Sequence, residues 1–302
     1  MPLLIFFFLC FVWGTTWIAI KVSLEGLPPL LGASVRFTLA ILLLAAYILW
    51  KKVPIRMKKK DFWIVSSSAF LMYTLDYGLI YWGEQYLSAG VTAIFFATFP
   101  LFTGIWATFL FRSEKFYWNK FVGLLLALAG IAVVFLDQLL STHFEHKVIW
   151  GIAAIILGAA GGAMSGVLVK KYLGSIDPVS LSFHQMLQGV IFLYFFSFIL
   201  ENWRHLQVTP RVAVAVCYLG AMGSALAFAL YYRLMQQWSA ITLSLIIYIT
   251  PLVALIVDYL VFGEVIHIQA AVGMLIIFSG IAFVQYHPQR WVLLRQKLSR
   301  TG

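Results

Sequence analysis

Long apolar runs, each closed by a short polar or basic stretch, follow one another from end to end of the chain, and none alternates with a period of two. Crossing about 30 Å of hydrocarbon takes roughly 20 helical residues. By that measure the runs fall at about 3–20, 30–50, 62–83, 88–111, 119–137, 150–169, 179–200, 211–232, 239–262 and 269–286. Extended backbone of this length would leave N–H and C=O groups unpaired in lipid, so each run reads as a helix. The pattern predicts an all-α membrane protein of ten transmembrane helices. The first run lacks a basic leader and a small-residue cleavage pattern, and reads as helix 1 rather than a signal peptide.

The second half of the pattern repeats the first. Tyr81, Gln85, Ser88, Ala89, Pro100, Leu101 and Phe111 fall at a constant offset on Tyr232, Gln236, Ser239, Ala240, Pro251, Leu252 and Phe262. After one residue of slippage Glu114, Gly123 and Gly130 fall on Glu264, Gly273 and Gly280, and upstream Lys21 and Pro29 answer to Lys170 and Pro178 more weakly. Five helices per copy is an odd number, so the copies must thread the membrane in opposite directions. That is the layout of a carrier with its site near the midplane between two inverted repeats. The expected units are a first repeat over 1–137, an outer loop over 138–149, a second repeat over 150–286 and a basic tail over 287–302.

Composition agrees and excludes other classes. Of 302 residues, 63% are hydrophobic and 11% charged, too little polar surface to cover a water-soluble globule. The net charge of +10 invites a nucleic-acid reading, but its placement follows the positive-inside rule. With a cytoplasmic N-terminus, the inner loops hold Lys51, Lys52, Arg56, Lys58, Lys59, Lys60, Arg112, Lys115, Lys120, Lys170, Lys171 and Arg233, with Arg290, Arg295, Lys297 and Arg300 in the tail. Outside are Lys21, Lys147, Arg204 and Arg211. Both termini are therefore expected in the cytoplasm. Cys10 and Cys217 lie within spans, and His143, Glu145 and His146 lack a third convergent ligand, so no disulfide framework or metal site is expected. No GxxxxGK[ST] loop is present, so no cofactor or ATP motor is expected and transport must run on a proton or other ion gradient.

Candidate site residues come from exceptions to the apolar pattern. Pro100 and Pro251 stand mid-span at matching positions, each releasing a carbonyl from its helix, and read as a gating pair. Asp76 is the deepest carboxylate and Arg36 lies at a comparable depth, so the two read as a charge pair or as a site for a charged substrate group. Trp13 and Trp17 flank Gly14, Thr15 and Thr16 on helix 1, while Tyr73, Phe95, Phe99, Tyr231 and Tyr248 lie deeper than an interfacial belt. Together they suggest an aromatic-walled pocket for a small amphiphile with a ring or a cationic centre. The expected substrate-binding set is Trp13, Gly14, Trp17, Tyr73, Asp76, Phe95, Phe99 and Tyr248. On helix 6, Gly158, Gly162 and Gly166 strip one face bare, either for close packing or to open backbone to a cavity.

The string FVWGTTWIAIKVSLEGLPPLLGASVRF (residues 11–37) resembles the opening of EamA-type carriers of the drug/metabolite transporter superfamily. YLSAGVTAIFFATFPLF with Glu114, Gly123 and Gly130, and YITPLVALIVDYLVFGEV with Gly273 and Gly280, are similar to that family's doubled signature. The resemblance spans nearly the whole chain and is specific to the superfamily, not to a substrate. It implies a ten-helix inner-membrane carrier with a central cavity, exporting amino acids, related metabolites or toxic organic compounds. It also implies cavity or gating positions at Trp13, Gly14, Pro100 and Pro251. The copies depart from symmetry at Gln185, which answers Arg36, and at Ala227, which answers Asp76.

The resulting expectation is a secondary transporter, not an enzyme, that exports small amphiphilic metabolites, amino acids or related compounds foremost, by alternating access. Its partners are a small-molecule substrate and the bilayer, with no nucleic acid, as a monomer or homodimer. The alternative carrier reading, a flippase for a lipid-linked intermediate, would need a cavity open sideways to lipid. A membrane-embedded enzyme would need a converging acid/base or metal set, and here the candidates are scattered.

Overall fold

The computed structural model describes residues 2–111, 117–262 and 268–285. The basic tail expected over 287–302 lies outside the described residues. No strand occurs among them.

Helices begin where the sequence supplies a cap or a proline. α1 is Pro2–Ser23 and α2 is Pro29–Lys51. Pro29 supplies a first-turn residue with no N–H to satisfy, and the Glu201 carboxylate accepts from the Leu30 and Leu31 amides at 2.6 and 2.9 Å. α3 runs over residues 59–83, with a π-helical stretch Phe70–Asp76 inside it. α4 consists of Ala89–Phe96 and Phe99–Leu110, α5 is Trp118–Val134, and a short turn Leu136–Leu140 follows. α6 is His146–Leu173, α7 is Pro178–Leu200 and α8 is Pro210–Met235, which carries a π-helical stretch Ala221–Leu226. α9 consists of Ala240–Ser244 and Ile246–Phe262, and α10 is Ile268–Gln285. The caps of α4 and α9 are the matched serines: Ser88 accepts from the Val91 amide and Ser239 from the Thr242 amide. Among the described residues six helices are long and apolar enough to cross a bilayer, and Trp118–Val134, Ala240–Val253 and Ile268–Val284 are shorter apolar helices.

Two spans expected to be continuous are broken near their starts. α4 is interrupted at Ala97–Thr98, where the Thr98 hydroxyl donates to the Phe95 carbonyl at 2.7 Å and Pro100 has no N–H to offer Phe96. α9 is interrupted at Leu245, whose carbonyl takes a tightened bond from the Tyr248 amide at 3.1 Å.

Packing runs between the halves of the sequence. α2 lies on α7 and α5 on α10, while α1 packs against α8 and α9 and α6 against α3 and α4. The α5–α10 crossing is closed by the matched glycines. A Cβ on Gly123 would stand 2.7 Å from the Gly280 carbonyl oxygen, and one on Gly273 would stand 2.7 Å from that of Gly130. The lysines match as well: Lys21 Nζ donates to the Glu84 carbonyl at 2.6 Å, and Lys170 Nζ to the Met235 carbonyl at 2.6 Å.

Candidate functional site

A narrow cavity of about 70 Å³ lies between the halves, walled by α1, α3, α4, α8 and α9. Trp13, Thr16 and Trp17 occupy one face of α1, three and four residues apart, so all three reach it. Trp13 packs edge-on to Phe228 (5.7 Å between ring centroids) and against Tyr231 (5.2 Å), while Trp17 meets Phe96 at 5.3 Å. Phe96 and Phe99 enter from the two sides of the α4 break. Ser244, Ile246, Ile247 and Thr250 enter around the break in α9. A space of this size takes a few water molecules, well short of the several hundred Å³ of a typical ligand site. Admitting a solute therefore requires the walls to move.

Asp76 closes the π-helical stretch of α3 and lines this cavity. The π geometry inserts an extra residue per turn and re-aims the side chains that follow. The carboxyl group seats against the bare face of α6: a Cβ on Gly162 would stand 2.3 Å from Asp76 Oδ2, and one on Gly158 would stand 3.1 Å from the Asp76 carbonyl oxygen. Oδ1 is buried with no hydrogen-bond partner. The neighbouring hydroxyls spend their protons on their own helices. Thr16 donates to the Trp13 carbonyl at 2.7 Å, Ser244 to Ile241 at 2.8 Å and Thr250 to Ile247 at 3.1 Å. Their oxygens therefore present lone pairs, and together with Asp76 they make the cavity a set of acceptors inside aromatic walls.

Of the expected binding residues, Trp13, Trp17, Asp76 and Phe99 line the cavity; Gly14, Tyr73, Phe95 and Tyr248 do not. Gly14 instead lets α9 come close, since a Cβ there would stand 2.7 Å from the Thr250 carbonyl oxygen. Tyr73 is buried among Phe37, Tyr77 and Phe228, and Phe95 packs partly buried at the edge of the core. Tyr248 points the other way and donates to the Leu124 carbonyl of α5 at 3.0 Å.

The expected Arg36–Asp76 pair is not formed. Among the described residues the sole ion pair joins Arg211 to Glu25 at 3.5 Å. Arg36 turns to the π-helical stretch of α8, donating from Nε to Ser224 Oγ at 2.7 Å and from Nη2 to the Gly223 carbonyl at 3.2 Å, with its guanidinium 4.7 Å from the Tyr77 ring centre. The same carbonyl accepts from Trp13 Nε1 at 3.2 Å, so irregular backbone buried inside the protein supplies the acceptor a regular helix would withhold. Gln185 and Gln188 bond α3, and His184 the loop before it: Gln185 donates to Ser68 Oγ at 2.7 Å, Gln188 accepts from Ser66, and half-buried His184 meets the Ile55 carbonyl at 2.9 Å.

The two prolines differ. Pro100 stands in the first turn of Phe99–Leu110, where an N–H would be unpaired in any case. Pro251 stands inside its helix, and the Ile247 carbonyl it leaves free is taken by the Thr250 hydroxyl.

The EamA-like transporter family model matches this chain twice, over residues 1–136 and 149–286. The chain belongs to the EamA-like transporter family. It is thus a multi-pass membrane transporter and not an enzyme. It is similar to "Uncharacterized transporter YoaV" of Bacillus subtilis, 26% identical over 89% of this chain and 91% of that protein. "Protein PagO" of Salmonella typhimurium is 25% identical over 92% of this chain and 90% of its own length. A crystal structure 17% identical in sequence aligns over 98% of each chain with a TM-score of 0.78, which establishes a shared fold.

In this EamA-like transporter Phe96, Phe228 and Thr250 are cavity walls that the sequence did not single out. The i, i+3 spacing of Phe228 and Tyr231 was the signal available. Nor did the sequence single out Glu84, a carboxylate just after an apolar run whose counterpart is Met235.

Proposed function

We propose that this transporter is a secondary carrier exporting small amphiphilic metabolites that bear an ammonium or other cationic group, amino acids and related compounds first, by alternating access. The observation that carries this reading is the cavity between the halves, where Asp76 and three hydroxyl oxygens act as acceptors within walls of Trp13, Trp17, Phe96, Phe99, Phe228 and Tyr231. Aromatic faces and acceptor oxygens together suit a cation with donors to spare. Ten helices threading the cytoplasmic membrane as two inverted five-helix repeats, both termini inside, would place this cavity near the midplane. The cross-packing of the halves and the matched glycines and lysines support that arrangement.

Two measurements test it. With Cys10 and Cys217 replaced, single cysteines at Lys58 and His143, both exposed, label from opposite sides with an impermeant thiol reagent; labelling of both from one side overturns the inverted arrangement. Cells making the protein export a wider range or a larger amount of amino acids than cells without it. Unchanged export across all of them, with cationic dyes run in parallel, removes the substrate assignment.

Gating is assigned to the helix breaks, which gives the prolines unequal roles. Pro251→Ala restores the amide that Ile247 lacks, worth about 1 kcal/mol as a hydrogen bond, and stiffens α9 beside the cavity. The variant melts higher and transports more slowly, whereas Pro100→Ala changes both less. Wild-type transport in Pro251→Ala would reduce that proline to a packing kink.

A further inference from the structure

Glu84 lies in the turn 84–88 that follows α3, with no exposed surface, and neither carboxylate oxygen has a hydrogen-bond partner. Tyr81, one turn back on the same face, also holds a buried hydroxyl without a partner, and Arg36 of α2 has an unpartnered Nη1. The charged groups whose field reaches Glu84 are Lys21 of α1 and Arg36 of α2. Lys21 spends its ammonium on the Glu84 and Leu87 carbonyls at 2.6 and 2.9 Å rather than on the carboxylate. α6 packs against this end of α3 and its turn through Gly151 and Ile155, which meet Gly83, and Gly151 also meets Leu87, while His143 and Glu145 line a surface groove with Tyr86, Leu87 and Ser88.

The architecture of this turn does not require an acid. In the second half the matched lysine, Lys170, makes the same bond to the carbonyl of the matched residue, and that residue is Met235. A carboxyl present in one copy, buried and unbonded, where the other copy builds the same turn with a thioether, is there for its proton.

We propose that Glu84 is a proton-binding site that couples transport to a proton gradient, separate from the substrate cavity around Asp76. Tyr77 and Tyr81 lie along one face of α3 and Glu84 follows Tyr81 just past its end, so this column runs from beside Asp76 to the turn, with the Arg36 guanidinium against Tyr77. Burial pushes the Glu84 carboxyl up from 4.5 to about 8, with the Lys21 and Arg36 charges pulling the other way. A raised acid binds its proton more tightly folded than unfolded. The stability it contributes is therefore complete below its ordinary value and is lost as pH rises through about 8.

The coupling role rests on the carrier reading above; the site itself is tested without any substrate. Infrared difference spectra of the intact protein in liposomes, stepped through pH, should show a protonated-carboxyl band that disappears near pH 8. The band shifts when glutamate is 13C-labelled and is absent in Glu84→Gln and Glu84→Met, while Asp76→Asn retains it. The methionine variant copies the second half and folds. The melting temperature of the wild type falls over the same pH range, and both Glu84 variants flatten that fall. A 13C-insensitive band, or one that titrates in the ordinary carboxylate range, overturns the proposal. The 13C label keeps the test valid even if a variant fails to fold. In proteoliposomes given a mixture of radiolabelled amino acids, Glu84→Gln keeps exchange across equal pH and loses accumulation driven by a pH gradient. Accumulation at the wild-type level overturns the coupling role. Absence of all amino-acid movement in the wild type would instead remove the substrate assignment and leave the infrared result to decide the site.

Discussion

Asp76→Asn cuts transport about ten- to hundredfold and leaves the protein folded. The cavity offers a cationic solute oxygens from Asp76, Thr16, Ser244 and Thr250, and Asp76 supplies the one carboxyl group among its lining residues. A hydrogen bond to a charged group contributes about 1.5–3 kcal/mol, and each 1.4 kcal/mol is about a tenfold change in affinity. The amide keeps the shape and loses the charge, and its NH₂ adds a donor where the substrate needs acceptors. Folding survives because Asp76 is not half of an ion pair. Breaking a buried pair costs about 3–5 kcal/mol, but here Arg36 is bonded to Ser224 and Gly223 and does not depend on Asp76. Asp76→Asn and Arg36→Gln therefore have additive effects, as separated sites do. Export assays and thermal melting in detergent read the two halves of this claim. Wild-type transport in Asp76→Asn removes Asp76 from the site, and recovery on adding Arg36→Gln would mean that the two groups do pair during transport.

That pair shows what the sequence could and could not carry. Depth along a span is legible, because position in an apolar run converts directly to height in the membrane; Arg36 and Asp76 were placed level on that basis. Azimuth is not legible where a helix is apolar all round, since no polar face marks which side turns inward. Trp13 and Trp17 were recoverable because they share a face and flank small polar residues. Tyr73 and Tyr248 were equally deep and aromatic, yet one faces Phe37 and Phe228 and the other bonds α5. The breaks in α4 and α9 were hidden for a different reason. Ala97, Thr98 and Leu245 are ordinary residues in a helix; in α4 it is Pro100, just beyond, that lets the chain part upstream, whereas Pro251 stands inside the helix that follows the α9 break. Pro100 was therefore found, but as a kink inside a helix rather than as part of the first turn of a new one. The π-helical stretches fall at matching places, Phe70–Asp76 and Ala221–Leu226, with no glycine or proline pattern in common to announce them.

Gly162→Ala unseats Asp76, and its effect is the largest in the glycine strip of α6. The added methyl would stand 2.3 Å from Asp76 Oδ2, 2.7 Å from its Cγ and 3.1 Å from Phe99 Cε2. None of these can retreat cheaply, because Asp76 is 2% exposed and Phe99 is 6% exposed, both between α3, α4 and α6. Overpacking of this kind costs about 1–3 kcal/mol, sometimes more, and the carboxyl must turn away from its place on the cavity wall. Gly166 is the internal control: four residues on, a Cβ meets nothing nearer than 3.8 Å, so Gly166→Ala melts and transports like the wild type. Gly158→Ala falls between, with its nearest contact the Asp76 carbonyl oxygen at 3.1 Å. Combining Gly162→Ala with Asp76→Ala removes the colliding carboxylate, so the pair is more stable than Gly162→Ala alone while transport stays lost. That asymmetry separates a packing role for the strip from a site-forming one. If packing alone were at stake, restoring stability would restore transport, and if Gly162→Ala melted and transported like Gly166→Ala, the carboxyl would not be seated against α6 at all.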